Sequence, residues 1–315
     1  MSATPGRSGR SSGRVVSQSA NFDVRRPLGL VSAPETYTSR AAPMNGRGKG
    51  RISRRRLEPI YADLSDRERA ILLDLDRFRF LTAAQLQTLH FYDHATEQAA
   101  ARIRRRVLAR LAGYRVIEHL ERRVGGIRAG SASFIWRVGV VGDRLLNMQR
   151  GEGARPRHKE PSARFLDHCL SVAACYIELI QDVRAGRLEL VRVETEPASW
   201  RRYLGAGGAR EILKPDLNVV TASDEFEDHW FVEVDRGTES LSTVIRKCAQ
   251  YERYRKTGRE QAATGVFPRV VWVVPDQIRL ERLAAELTRT RSLDRQLFRT
   301  TTLEGFAGLI AGGSA

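Results

Sequence analysis

Apolar and polar positions divide the chain into an unpatterned N-terminal stretch and a long patterned region. Residues 1–58 hold few large apolar side chains and many Gly, Ser, Pro and Arg. Such a segment buries too little surface to offset its ordering entropy, so it reads as a disordered basic tail. From Leu57 onward the pattern changes. Ile71, Leu72, Leu75 and Phe78 recur at helical spacing behind Ser65, with Glu68 at the reciprocal position of a capping box. Thr82 and Gln85 repeat that signal for a helix over 83–90. Thr96 opens a third helix, ended by Gly113, in which Ala100, Ile103, Val107 and Leu111 form one apolar stripe. Val116–Arg123 reads as a strand, Gly125–Ser131 as a turn and Ala132–Val138 as the returning strand. Three short helices and a hairpin, in this order, predict a winged helix over residues 59–150, with the second and third helices as its helix-turn-helix.

Gly151, Gly153, Pro156 and Pro161 mark residues 151–162 as a linker. A second unit is expected over 163–300. It starts with a helix from Arg164 to Ala185, followed by strands at Arg187–Glu196, Leu213–Thr221 and Trp230–Arg236. A helix over Leu241–Lys256, a strand over Arg269–Val274 and a helix over Arg279–Thr290 complete it, leaving 301–315 as a C-terminal tail. The overall expectation is α/β: a small α+β module, then an α-β-β-β-α-β domain with helices flanking a sheet.

Charge narrows the partner. The formal net charge is +16 and the sequence pI about 10.6, a balance that attracts polyanions. No apolar run approaches the ~20 residues of a membrane-spanning helix, and no secretory apolar segment opens the chain, so nucleic acid ranks above membrane and a cytoplasmic setting is expected. Cys169, Cys175 and Cys248 form no C-x-x-C pair and read as buried apolar residues. Arginine richness alone argues little, so position matters more. On the third helix Arg102, Arg105 and Arg106 lie opposite the apolar stripe, while Arg104 and Arg110 flank it. Arg122, Arg123 and Arg128 belong to the wing. A major groove admits a helix, and guanidinium groups reach both phosphates and guanine edges, so duplex DNA is the expected partner. The competing readings are a solvated charged face or a winged helix that binds protein.

Pro215-Asp216 begins one strand and Glu233-Val234-Asp235 ends the next. Residues two apart on a strand share a face, so Glu233 and Asp235 are expected to face one site, joined by Asp216. Clustered carboxylates repel unless a cation lies between them, and hard oxygen ligands select Mg2+ or Mn2+. Without a cation, at least one of the acids should be strongly perturbed. His168 reads first as a packed helix residue and second as an accessory to this site. The plain alternative for Asp216 is a turn residue, and for Glu233, Asp235 and Lys247 salt-bridged charge.

The arrangement resembles the PD-(D/E)XK nuclease superfamily, which shares this element order. The resemblance implies Asp216 and Glu233 as metal ligands. Aspartate at 235 stands where that superfamily carries its lysine, and Lys247 on the following helix is the implied replacement, with Lys214 as the other choice. Some branches carry Gln-x-x-x-Tyr on that helix, a spacing met by Gln250 and Tyr254, with Tyr251 adjacent. Taken together, the winged helix, Leu166-Asp167-His168, Lys214-Pro215-Asp216 and Glu233-Val234-Asp235-x-Gly237-Thr238-Glu239 with Lys247 and Tyr251 resemble the replication-relaxation proteins of actinobacterial plasmids and integrative elements. That resemblance implies a role in plasmid replication, relaxation or mobilisation, with replication or conjugation partners and a homodimer among the assemblies it allows. Two functions follow: a DNA-binding protein with a metal-dependent nicking domain, or a non-enzymatic DNA-binding factor with a degenerate nuclease fold.

Overall fold

The structure is a computed structural model that describes residues 54–124, 133–150, 160–223 and 226–312. The first helix, α1 (Arg54–Asp63), begins inside the stretch expected to be tail. Leu57 is buried, and Ile60 and Tyr61 pack on the same cluster, an i, i+3, i+4 set that holds the helix down. The remainder of the expected tail, residues 1–53, lies outside the described residues.

Helices α2 (Asp66–Phe78), α3 (Ala83–His90) and α4 (Glu97–Gly113) follow, with the two-residue strand β1 (Leu81–Thr82) before α3. Both expected capping boxes form: Ser65 with Glu68, and Thr82 with Gln85. Strands β2 (Ile117–Val124) and β3 (Ser133–Val138) pair antiparallel, and β1 adds to the free side of β3. Side chains fix the helices against one another. Glu68 is buried and accepts from Arg110 on α4, whose guanidinium also reaches Asp63 at 2.7 Å. Arg104 donates to Gln87 Oε1 at 2.5 Å and to the Ala83 carbonyl at 3.2 Å, joining α4 to α3. The turn expected over 125–131 lies outside the described residues.

A helix absent from the sequence reading, α5 (Val140–Arg150), comes next. Its first turn presses on the link between α4 and β2: a Cβ placed on Gly142 would lie 2.2 Å from the Val116 carbonyl oxygen and 2.9 Å from Leu72 and Val138 side-chain carbons. Only a residue without a Cβ permits that approach.

The C-terminal half contains α6 (Ala163–Arg184), β4 (Glu189–Thr195), the short strands β5 (Arg201–Leu204) and β6 (Arg210–Leu213), β7 (Leu217–Ser223), β8 (Phe226–Val234), α7 (Leu241–Arg255), α8 (Arg259–Thr264), β9 (Arg269–Val274), α9 (Gln277–Arg289), β10 (Phe298–Thr302) and α10 (Leu303–Ala311). Five strands form a mixed sheet in the order β10-β9-β8-β7-β4. The β4–β7 and β7–β8 pairs are antiparallel, and the β8–β9 and β9–β10 pairs parallel. Strand alternation splits the core. Val219, Val232, Val271 and Val273 join α6 and α10 on one face, while Phe231, Val270, Trp272 and Val274 join α7 and α9 on the other. The chain is thus mixed α/β. The cysteines are free and buried, as expected. Residues 301–311 do not form a tail: β10 runs to Thr302, and Phe306 and Ile310 of α10 are fully buried against α6. That short strand and apolar helix lack the polar face that would have marked them by periodicity.

The two halves share a hydrophobic cluster that runs from Leu57 to Ile310. Hydrogen bonds cross between them. Arg184 of α6 donates to the carbonyls of Thr88 and Leu89 at 2.6 and 2.7 Å, satisfying the last turn of α3. Gln85 donates to the Leu170 carbonyl at 2.9 Å, and Arg77 to that of Val193 at 3.1 Å. Of the segment read as linker, residues 151–159 lie outside the described residues. Among the described residues no helix is long and apolar enough to cross a membrane.

The glycine environments give a paired prediction. Gly142→Ala should lower stability by about 1–3 kcal/mol, because its methyl meets backbone that cannot retreat. Gly308→Ala, on an exposed turn of α10 with open space around it, should raise stability by about 0.5–1 kcal/mol. Urea unfolding of both variants checks the pair, and equal effects would show that α5 does not press tightly on the backbone at Val116.

Candidate functional site: a buried acid–base cluster and an arginine-faced helix

The β7–β8 register pairs Leu217 with Val232 and Asn218 with Phe231. Carried one residue further, it sets Asp216 alongside Glu233, and the Asp216 amide extends the ladder by donating to the Val232 carbonyl at 3.1 Å. Both carboxylates are buried. A buried charge is tolerated only when paired, and each has its partners. Glu233 Oε2 takes the ammonium of Lys247, while Oε1 accepts from the Tyr251 hydroxyl at 2.5 Å. Lys247 and Tyr251 are four apart on α7, so one helix face delivers both. Asp216 Oδ2 accepts from the Val234 amide at 2.7 Å, and Oδ1 lies 3.1 Å from His168 Nε2 on α6. The cluster therefore ties β7, β8, α6 and α7 together at one end of the sheet. His168 and Lys247 are each about one-third exposed and form its opening to solvent.

Electrostatics sort the four groups. Burial pushes the Glu233 carboxyl up to about 7, Lys247 opposes this, and the neighbouring Asp216 charge adds to it. One acid is thus perturbed, but chiefly by burial and not by the repulsion among three carboxylates on which the expectation rests. Asp216 moves the other way: burial would raise it, but the His168 hydrogen bond, the Lys247 charge and the Val234 amide together lower it. The same hydrogen bond to Asp216 raises His168. Lys247 is raised too, because Glu233 and Asp216 outweigh the burial that disfavours its charge.

Asp235 does not join them. Its Oδ2 accepts from Arg279 Nε at 2.7 Å and its Oδ1 from the Gly237 amide at 2.8 Å, so it pins the loop after β8 to α9. Strand geometry stops at Val234, and the two-residue alternation that would have aligned Asp235 with Glu233 stops with it. Gln250 and Tyr254 are also elsewhere: Gln250 donates to the Ile212 carbonyl at 3.0 Å and Tyr254 to Glu260 at 2.5 Å. The residues that reach the acid are Lys247 and Tyr251, set one helical step from the Gln250–Tyr254 pair. Lys214 lies over the Trp200 ring at 4.4 Å, away from Glu233. Among the described residues, no group of three or more His, Cys, Asp and Glu side chains is arranged to hold a metal ion. The two clustered carboxylates have all four oxygens engaged by hydrogen bonds, and a cationic side chain already sits on Glu233.

Hydrogen-bond partners also divide the arginines of α4. Arg104 and Arg110 are used in packing, as described above. Arg102, Arg105 and Arg106 are exposed, and none has a carboxylate partner among the described residues. The opposite side of the helix is apolar as expected, with Ala100, Leu108 and Leu111 buried and Ile103 and Val107 packed against the core. Arg122 and Arg123 lie within the last three residues of β2, and Arg128 lies outside the described residues.

Comparison with protein families gives a match over residues 72–270 to the family described as replication-relaxation, more than half of the chain. The chain belongs to the replication-relaxation family. The matched span runs from within α2 to the start of β9, so it includes α4, Asp216, Glu233 and Lys247. Comparison with curated proteins and with solved structures finds no match. Family membership connects the chain with plasmid replication and relaxation.

The raised Glu233 carboxyl gives a pH prediction. Folding lets this group keep its proton to about 7, so the native state binds more protons than the unfolded chain above the ordinary glutamate range. Stability must then fall as pH rises from about 4.5 towards 7, by roughly 3 kcal/mol for a shift of this size. In Glu233→Gln that fall should vanish, while the parallel contribution of His168 stays common to both proteins. Urea unfolding of the two proteins between about pH 5 and 8 reads the difference. Parallel stability curves would show that Glu233 titrates normally.

Proposed function

We propose that this replication-relaxation protein is a duplex-DNA-binding replication factor of a mobile element. In this reading α2, α3 and α4 with the β2–β3 hairpin act as a winged helix, and α4 enters the major groove. The carrying observation is the division of labour on α4: three exposed arginines without carboxylate partners among the described residues on one side, two arginines committed to packing on the flanks. Exposed guanidinium groups on a fixed helix face suit phosphates and guanine edges. The order of sheet strands and flanking helices supports a restriction-endonuclease-like second half. Its acidic site is closed by the chain's own lysine, which supplies the positive charge that a divalent ion would otherwise bring. In this reading the factor recognises DNA without cutting it.

A second reading has one observation behind it. Asp216 and Glu233 lie side by side in a buried site with Lys247, the constellation of a metal-dependent nuclease. If Lys247 swung off Glu233, two carboxylates would be open to Mg2+ or Mn2+.

DNA binding is tested on α4. Arg102→Ala with Arg105→Ala should weaken binding to duplex DNA and reduce the slope of log affinity against log salt by about two, one for each phosphate no longer neutralised. An unchanged affinity and slope would remove α4 as the reader.

A further inference from the structure

The β5–β6 hairpin carries an outward face that neither the core nor the acid–base cluster uses. Its register pairs Arg201 with Leu213, Arg202 with Ile212, Tyr203 with Glu211 and Leu204 with Arg210. Alternation then puts Arg201, Tyr203, Glu211 and Leu213 on one face and Arg202, Leu204, Arg210 and Ile212 on the other. The first face is anchored. Leu213 and Tyr203 are buried, the Tyr203 ring lies 5.0 Å from that of Tyr254, its hydroxyl donates to Glu211 at 2.7 Å, and Arg201 forks onto Glu260 at 3.1 Å. Gln250 of α7 holds the ribbon's backbone at Ile212. The second face is solvent-exposed throughout, with Leu204 58% exposed and Ile212 38% exposed. On it the arginines and the apolar side chains alternate: Arg202 stands opposite Ile212, and Leu204 opposite Arg210. No carboxylate lies on that face, and neither Arg202 nor Arg210 has an acidic partner among the described residues.

The tip also projects. Gly207 and Gly208 have φ of 74° and 79°, and a Cβ on either would meet nothing within 4 Å. The chain leaves β6 through Lys214, exposed and lying on Trp200, and enters Pro215-Asp216 directly. The ribbon is thus rigidly mounted, positively charged on its free face and adjacent to the acid–base cluster.

We propose that the outward face of the β5–β6 hairpin is a second contact for duplex DNA, separate from α4. A two-stranded ribbon fits a major groove. Arg202 and Arg210 meet phosphates on either side, and Leu204 and Ile212 cover sugar and base edges between them. Charge complementarity selects the occupant: two unpaired cations and no anion on a chain of net charge +16 fit a polyanion. The exposed leucine and isoleucine separate this face from a merely solvated one. The proposal rests on the DNA-binding reading given above and extends it to a site on the opposite half of the chain.

The test uses the full chain and a fluorescently labelled duplex of about three helical turns, with anisotropy read across a salt series. Arg202→Ala with Arg210→Ala should weaken binding and reduce the salt slope by about two, as two phosphates are no longer neutralised. Leu204→Ser should weaken binding without changing the slope. Combining the Arg202 and Arg210 changes with those at Arg102 and Arg105 should reduce the slope by about four, because the two sites act separately. All of these positions are exposed, so thermal melting of each variant should match the wild type, and a variant that melts early is replaced by Arg202→Gln with Arg210→Gln. If the wild-type protein binds no DNA, both the hairpin proposal and the reading beneath it fall. If the wild type binds and only the α4 pair changes the slope, the hairpin proposal alone is overturned. A change from dimer to monomer in sedimentation, with DNA binding intact, also overturns it and makes the face a contact between two copies.

Discussion

A single buried carboxylate organises the C-terminal half of this protein. Glu233 sits near the end of the central strand β8, almost wholly removed from water. An acid there is tolerable only with compensation. Lys247 and Tyr251 supply it from one face of α7, and in doing so fix where that helix lies on the sheet. Asp216, brought alongside by the β7–β8 register, extends the network to His168 on α6. The result is a chain of polar contacts from one helical layer to the other around the end of the sheet. Removing one partner would strand the others, so the cluster specifies the fold as well as shaping a site.

The positive charge follows a similar economy. Many arginines in the described residues are structural: Arg110 on Glu68 and Asp63, Arg184 on the end of α3, Arg201 on Glu260, Arg279 on Asp235. What distinguishes the α4 face and the β5–β6 face is that Arg102, Arg105, Arg106, Arg202 and Arg210 have no carboxylate partner among the described residues. A surplus of 53 Lys and Arg over 37 Asp and Glu becomes meaningful only after this sorting, since the count alone cannot separate cations used in packing from those left exposed. The two faces lie on opposite halves, and those halves share a hydrophobic cluster, so a partner held by both would be held by one packed unit.

Much of this was legible in the sequence, for identifiable reasons. The capping boxes at Ser65 and Thr82 and the apolar stripe of α4 are short-range signals, and the structure forms them as read. Four of the five strands of the central sheet, β4, β7, β8 and β9, were visible from their apolar, valine-containing runs, and the pairing of Asp216 with Glu233 followed from their places on neighbouring strands. The failures lie where a long-range partner decides. Asp235 matched Glu233 by alternation, but the strand ends at Val234 and Arg279, forty-four residues on, captures it. Gln250 and Tyr254 had the spacing of a site motif, yet the helix phase sets Lys247 and Tyr251 on the acid and uses the other pair to hold a hairpin and Glu260. The helix α10 and the strand β10 were missed because they are short and apolar, with little polar face to betray them, whereas α5 was missed although Val141, Leu145 and Leu146 give it an apolar side.

Whether Lys247 closes the Asp216–Glu233 site decides between a DNA-binding factor and a nuclease. Purified full-length protein incubated with supercoiled plasmid in Mg2+ or Mn2+ reads this, with Asp216→Ala and Glu233→Ala as controls. With the site closed, wild type should nick no more plasmid than either variant, while all three still bind DNA. Metal-dependent nicking by the wild type that disappears in both variants would contradict closure by Lys247.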